Sequence, residues 1–400
     1  MTSEATASEQ SASDRSAPLK GIVVADFSRV LAGPLASMLL GDFGATVIKV
    51  ERPDRGDDSR AWGPPFIGEG AGDSTYYLSV NRNKRSLKLD LHDPADVLVA
   101  HKLIRNSDVL IENFRPGTME RLGFGYEDLV ADNPGLIYSS ISGFGREAGA
   151  GLPGYDFLAQ ASGGLMSLTG EVDGEPMKTG VAVADIATGL FSAIGIFAAI
   201  VERVASGRGQ KVETNLLQSV LGLLANHASG YLVGDIVSSR QGNAHVSISP
   251  YETIRASDGE IVVAIGNDRQ FEAMCKTLDI SEVAADPRFV VNSARVKNRK
   301  TLHQILEERI SQYRVDDWIL AFAKVGVPCG RVNSVDRAFA FAEELGLSAV
   351  YRHLADGTKA VAQVADPITL SETPATYRMP PPTLGEHDTE IREWISSLTR

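Results

Sequence analysis

Asp185 lies in an otherwise apolar run, Val181-Ala-Val-Ala-Asp-Ile-Ala-Thr-Gly-Leu190, which continues to Ile200 without another charge. A carboxylate in such surroundings must be paired, solvated through a cleft or held for chemistry, because burying it alone costs several kcal/mol or more. Two readings follow. It is the N-cap of the helix that begins here, or it is a nucleophile; a helix N-terminus favours the ionised form, so the two are compatible. Asp156, in Gly154-Tyr-Asp156, is either a second acid of a pair or, the favoured reading, the N-cap of the helix that follows it. Cys329, between Pro328 and Gly330, offers a thiol but no feature that would activate it, so a buried turn cysteine is the better reading. The seven histidines show neither HExxH nor Cys/His spacing, and no metal site is expected.

These residues need a scaffold, and the hydrophobic pattern specifies one. Gly21-Ile-Val-Val-Ala-Asp26 reads as a buried parallel strand, Ala32 to Phe43 as a helix, and Thr46-Val-Ile-Lys-Val-Glu51 as a second strand. The pattern repeats: alternation from Ser86 to Leu91, a helix at His101 to Arg105, and strands at Asp108 to Ile111 and Leu136 to Ile141. Beyond the helix at Asp185 come a strand at Lys211 to Thr214 and a helix at Leu216 to Leu224. Strands alternating with helices predict an α/β, doubly wound, Rossmann-like parallel sheet with ligands at the strands' carboxyl ends. From Tyr251 a smaller α+β domain is expected, with helices near Phe271–Leu278 and Asn298–Ser311. The organisation is therefore a disordered tail at 1–17, a large domain at 18–225, a small domain at 226–330, and a return to the large domain at 331–400.

Glu51 stands where a dinucleotide's ribose would find an acid, but the turn after the first strand, Ser28 to Pro34, lacks G-x-G-x-x-G, which argues against NAD. Basic residues gather after the strands instead: Arg52, Arg55 and Arg60; Arg82, Lys84, Arg85 and Lys88; Arg115 and Arg121. Most are expected to be solvated, yet their placement also suits a phosphorylated nucleotide bound without a P-loop. A net charge of −12 argues against nucleic acid or an anionic membrane as partner. Two cysteines provide no disulfide framework and fit the cytoplasm. The tail to Ala17 has no apolar block and is not read as a secretory signal. Val181 to Val201 is long enough to suggest a membrane span, but Asp185 and the glycines favour a buried helix.

Several blocks in order resemble the class III CoA-transferase family: Asp26-Phe-Ser-Arg-Val-Leu-Ala-Gly-Pro34, Leu40 to Pro53, Asn83-Lys-Arg-Ser86, Glu112-Asn-Phe-Arg-Pro-Gly117 and Val327-Pro-Cys-Gly330. The family includes formyl-CoA and carnitine CoA-transferases and α-methylacyl-CoA racemases. The resemblance runs from about residue 18 to His387. It implies that Asp185 is the catalytic carboxylate, with CoA contacts at Leu31, Ala32, Arg52, Leu89, Asn113, Phe114 and Arg121. CoA thioesters are then substrates, no cofactor is permanently bound, and two chains interlock as a homodimer. Asn226 to Tyr231, Ala244 to Tyr251 and Arg295 to Lys300 are similar to members that take dicarboxylates, which implies succinyl-CoA or a similar donor and a dicarboxylate acceptor. Tyr155 would orient the acyl group, and Arg240 or His245 would bind the distal carboxylate.

The chain departs from the family in places. His92 replaces a lysine found after the third strand in some members, and Arg240 to His245 replaces a glycine-run loop. Racemases carry Gly-His-Asp where this chain has Gly154-Tyr-Asp156; losing the imidazole removes the better base and favours transferase chemistry. A racemase and a non-catalytic acyl-CoA-binding protein remain the alternatives.

Overall fold

The structure, a computed structural model, describes residues 17–68, 73–353 and 361–398; the tail assigned to 1–17 lies, but for Ala17, outside them. The chain divides into two compact units. The larger comprises residues 1–165, 178–236 and 348–400, and the smaller 166–177 and 237–347. The boundaries at 236 and 347 follow complete helices, Asn226–Gly234 and Val335–Glu344, and so differ from positions 226 and 330, where the sequence texture changes. The contribution of 166–177 to the small unit carried no sequence signal.

In the large unit, strands β1 (Val23–Asp26), β2 (Thr46–Glu51), β3 (Lys84–Lys88), β4 (Val109–Glu112), β5 (Ile137–Ser142) and β6 (Lys211–Asn215) form one sheet in the order β3-β2-β1-β4-β5-β6. All five pairings are parallel. The sequence reversal between β1 and β4 creates the switch point at which such sheets bind ligands, just outside the strands' carboxyl ends. Neighbouring strand residues point to opposite faces: Val24, Val47, Val109 and Ile137 enter one core, and Ala25, Ile48, Leu110 and Tyr138 the other. Both faces are therefore apolar, as a parallel sheet covered by helices requires.

Helix α1 (Ala32–Asp42) lies on the first face together with α4 (Val183–Ser206), while α2 (Pro94–Arg105) lies on the second. Helix α3 (Asp156–Ser162) precedes α4 in the chain. Helix α4 has the length and hydropathy of a membrane span, but in this fold it packs on α1, β5 and β6. Gly189 permits that packing: a Cβ there would sit 2.6 Å from the Ala32 carbonyl oxygen.

Several basic residues expected on a solvated rim are interior struts. Lys84 is fully buried against Asp26 at 3.1 Å, Arg82 is bound to Asp42 at 2.6 Å, and Arg60 grips Glu51 at 2.8 Å. Each is paired and hydrogen-bonded, the condition under which a charge tolerates burial. Glu51 is thereby engaged within the protein, also accepting from Ser86.

The small unit has its own core. An antiparallel sheet of β7 (Tyr251–Ala256), β8 (Gly259–Ala264) and β9 (Cys329–Arg331) packs its apolar face on Phe271, Leu302, Leu306 and Phe322, all buried.

Candidate active site

The turn leaving β1 is built around a strained residue. Val30 has φ of +71°, a conformation that a β-branched side chain adopts only when the surroundings impose it. The imposing groups are visible. The Asp57 carboxylate accepts the Val30 N–H at 3.1 and 3.2 Å, and Lys49, wholly buried, binds Asp57 at 2.8 Å. Burial opposes ionisation of Asp57, but Lys49 prevails and holds the carboxyl well below its usual range. From the end of β4, Asn113 accepts from the Arg29 N–H at 2.8 Å and donates to the Arg29 carbonyl at 2.7 Å. One side chain thus clamps both polar groups of a residue across the switch point.

Two cavities open beside this turn. The first, about 680 Å³, is lined by Arg52, Leu89, His92, Phe114 and Arg121 among others. The second, about 700 Å³, is lined by Leu31, Ala32, Asn113, Tyr155, Asp156 and Asp185. Arg29 and Phe114 line both, with the guanidinium 5.0 Å from the ring centroid. Arg29 and Arg52 share Asp58, at 3.0 and 2.5 Å, yet the buried Nε of each has no partner among the described residues. Unsatisfied buried donors of a fixed cation are suited to an anionic ligand.

Asp185 occupies the third position of α4 and does not cap it. The cap is Asp156, whose Oδ1 accepts from the Ala184 N–H at 2.8 Å and the Asp185 N–H at 3.4 Å. This corrects both sequence readings: Asp156 begins α3 but serves the N-terminus of α4, reached across the fold rather than along the chain. Its other oxygen accepts from Gln160, itself fully buried, at 2.7 Å. The Asp185 carboxylate accepts no hydrogen bond among the described residues. Burial, and then the charge of Asp156, push it up to about 7. The helix terminus therefore does not keep it in the ordinary carboxylate range, as the sequence alone suggested. Such a group is ionised in appreciable fraction at neutral pH and, being more basic than an ordinary carboxylate, is the better nucleophile once ionised.

The two residues expected at a distal carboxylate lie in the small unit and line neither cavity. Arg240 donates to the carbonyls of Glu171 at 3.1 Å and Gly174 at 2.7 Å, holding the 166–177 segment, and His245 packs on Tyr251. The Cys275 thiol is pushed up to about 12 by burial, and burial also raises that of Cys329; neither is an activated nucleophile.

The chain matches the family described as CoA-transferase family III over residues 19–388. It belongs to that family. It is 42% identical to the succinate–glutarate CoA-transferase of Agrobacterium fabrum, over 97% of this chain and 98% of that protein. It is also 42% identical to the human succinyl-CoA:glutarate CoA-transferase, over 94% of this chain and 85% of that one. Among solved structures, a CAIB/BAIF family protein from Brucella suis superposes with a TM-score of 0.85 at 42% identity, covering 95% of this chain and 100% of that one. As a family III CoA-transferase, the protein is an enzyme whose substrates are CoA thioesters.

Four residues, Lys49, Asp57, Gln160 and Tyr76, shape the second cavity and the turn beside it without having been singled out from the sequence. Lys49 interrupts an apolar strand, a signal of the same kind as Asp185, and positions the turn through Asp57. Gln160 supports Asp156. Tyr76 lines the second cavity, where burial and the nearby charges of Asp185 and Asp156 push its phenol up to about 12; nothing in its sequence surroundings marks it.

Proposed function

We propose that the enzyme moves CoA from succinyl-CoA or a similar thioester to a dicarboxylate, through covalent intermediates on Asp185. An Asp185 oxygen attacks the thioester carbonyl; the C–S bond breaks, giving a mixed anhydride and CoA thiolate. The thiolate attacks the aspartyl carbonyl, expelling the donor carboxylate and leaving an aspartyl-CoA thioester. The acceptor carboxylate attacks that thioester, forming a second anhydride and freeing thiolate, which takes the new acyl group and restores Asp185. Activated acyl groups are exchanged at every step, so the scheme needs no resident cofactor.

The observation that carries this reading is the Asp185 carboxylate, without a partner among the described residues and raised to about 7, in a cavity that shares Arg29 and Phe114 with an arginine-rimmed neighbour. Arg52, Leu89, Phe114 and Arg121 would hold the nucleotide end of CoA in the first cavity. The turn at Leu31 and Ala32, held by Asn113, would guide the pantetheine towards Asp185, beside which Tyr155 would orient the acyl group. Holding CoA in this way makes the return of thiolate effectively intramolecular.

Succinyl-CoA incubated with a panel of dicarboxylates should give the corresponding acyl-CoA, read by liquid chromatography. Failure with every acid, together with α-deuterium incorporation into a 2-methylacyl-CoA, would favour racemase chemistry. For Arg52→Ala we expect KM for the acyl-CoA to rise about tenfold with kcat little changed, the signature of lost uniform binding.

We further propose an interlocked homodimer in the cytoplasm. The exposed Ile194, Val201 and Val204 of α4 supply apolar surface for a second copy to cover, and both cysteines are free.

A further inference from the structure

The second cavity is lined by acids and cations in equal number, so the charges of a dicarboxylate placed in it must be met by cations that are not already paired. Asp58, Asp156 and Asp185 line it, against the cations Arg29, Arg115 and Lys178. Arg29 already neutralises Asp58. An acid with a carboxylate at each end, lodged with one end at Asp185, needs a cation for the other. Like charges left uncompensated in a partly enclosed site disfavour binding.

We propose that Lys178 binds the distal carboxylate of the acyl group and so selects dicarboxylates; the assignment rests on the CoA-transfer reading above. Its ammonium is uncommitted, making one contact, 3.1 Å to the Thr179 carbonyl, and no ion pair among the described residues. The backbone next to it is tied to the network around the nucleophile. Thr179 donates its N–H to Gln160 at 3.0 Å and its hydroxyl to the same oxygen at 3.2 Å; Gln160 donates to Asp156, which in turn caps the helix carrying Asp185. The lysine is therefore anchored, one residue away, to the network that places the reacting carboxylate. Arg115 is the rival cation. It follows Asn113 and Phe114 on the turn that clamps Arg29, and Phe114 also lines the first cavity, so Arg115 stands on the side from which CoA would arrive.

The test compares glutarate with pentanoate, which has the same carbon chain and lacks one carboxylate. In a ping-pong exchange the acceptor's kcat/KM reports the acceptor half-reaction alone, whatever the donor. Lys178→Met should lower kcat/KM for glutarate by roughly 10- to 100-fold, the worth of a charge-assisted hydrogen bond. Pentanoate, as substrate or as competitive inhibitor, should change by less than about threefold on the same basis. Lys178→Arg should retain the preference for glutarate. Equal changes for the two acids, no change for either, or the discriminating loss appearing in Arg115→Met instead would overturn the assignment. Absence of CoA exchange with every acid in the wild-type enzyme would overturn the function proposed above and this inference with it, whereas a normal wild-type exchange with an indifferent Lys178→Met removes only the inference.

Discussion

Asp185→Asn should lower CoA transfer by roughly 10⁴-fold or more, because an amide of the same shape cannot form the anhydride. The same variant should be more stable than the wild type, by an amount that depends on pH. The Asp185 carboxyl is raised to about 7 in the folded protein by burial and Asp156, against about 4 for an exposed aspartate. A carboxyl raised on folding favours the native state while both forms are protonated, below its unfolded value. That contribution is lost as pH rises through about 7. Wild-type stability should therefore decline between about pH 4 and 7 by up to a few kcal/mol from this residue, and Asp185→Asn should escape the decline. Urea denaturation at pH 5 and pH 8 checks this: the variant's advantage should be larger at pH 8. An equal advantage at both would mean that the carboxyl is not raised. Loss of function with gain of stability is expected where a site holds a group in surroundings that do not suit it.

The second large effect concerns Asp156, which performs two tasks that substitution separates. Asp156→Asn retains an oxygen to cap Ala184 and Asp185 but removes the charge that helps raise Asp185. Only the ionised nucleophile reacts, so kcat/KM should rise with pH through about 7 in the wild type and level off above it. In Asp156→Asn that rise should move to lower pH while the plateau and the stability change little. Asp156→Ala also removes the cap. It should cost about 1–2 kcal/mol of stability and, by letting the first turn of α4 shift, roughly 10²-fold in kcat. A pH profile in Asp156→Asn that superposes on the wild type would leave Asp156 a purely mechanical part.

The sheet was legible because a doubly covered parallel strand must be apolar on both faces, and β1 and β4 read as near-continuous apolar runs. Asp185 was legible for the converse reason, as a charge breaking an apolar helix. What surrounds it was not. Asp156 lies 29 residues from Asp185, and cap geometry within one helix is the pattern a sequence displays; a cap supplied by another helix leaves no local trace. The basic run Arg82 to Lys88 looked like a rim because sequence shows charge but not depth, and the partners that bury Arg82 and Lys84, Asp42 and Asp26, are about 40 and 58 positions away. Val30 was equally hidden, since its left-handed backbone is imposed by Asp57 and Asn113 from two other strand ends. Arg240 shows the same limit: nothing local in the sequence announced that its guanidinium donates to the carbonyls of Glu171 and Gly174.

The central claim is that a substrate acyl group or CoA becomes bonded to Asp185 during turnover. Hydroxylamine added to enzyme turning over succinyl-CoA, followed by proteolysis and peptide mass mapping, tests it directly. The account predicts a hydroxamate on the peptide containing Asp185, formed only when acyl-CoA is present and lost in Asp185→Asn. A hydroxamate on another residue, or none in enzyme that is demonstrably transferring CoA, would contradict it.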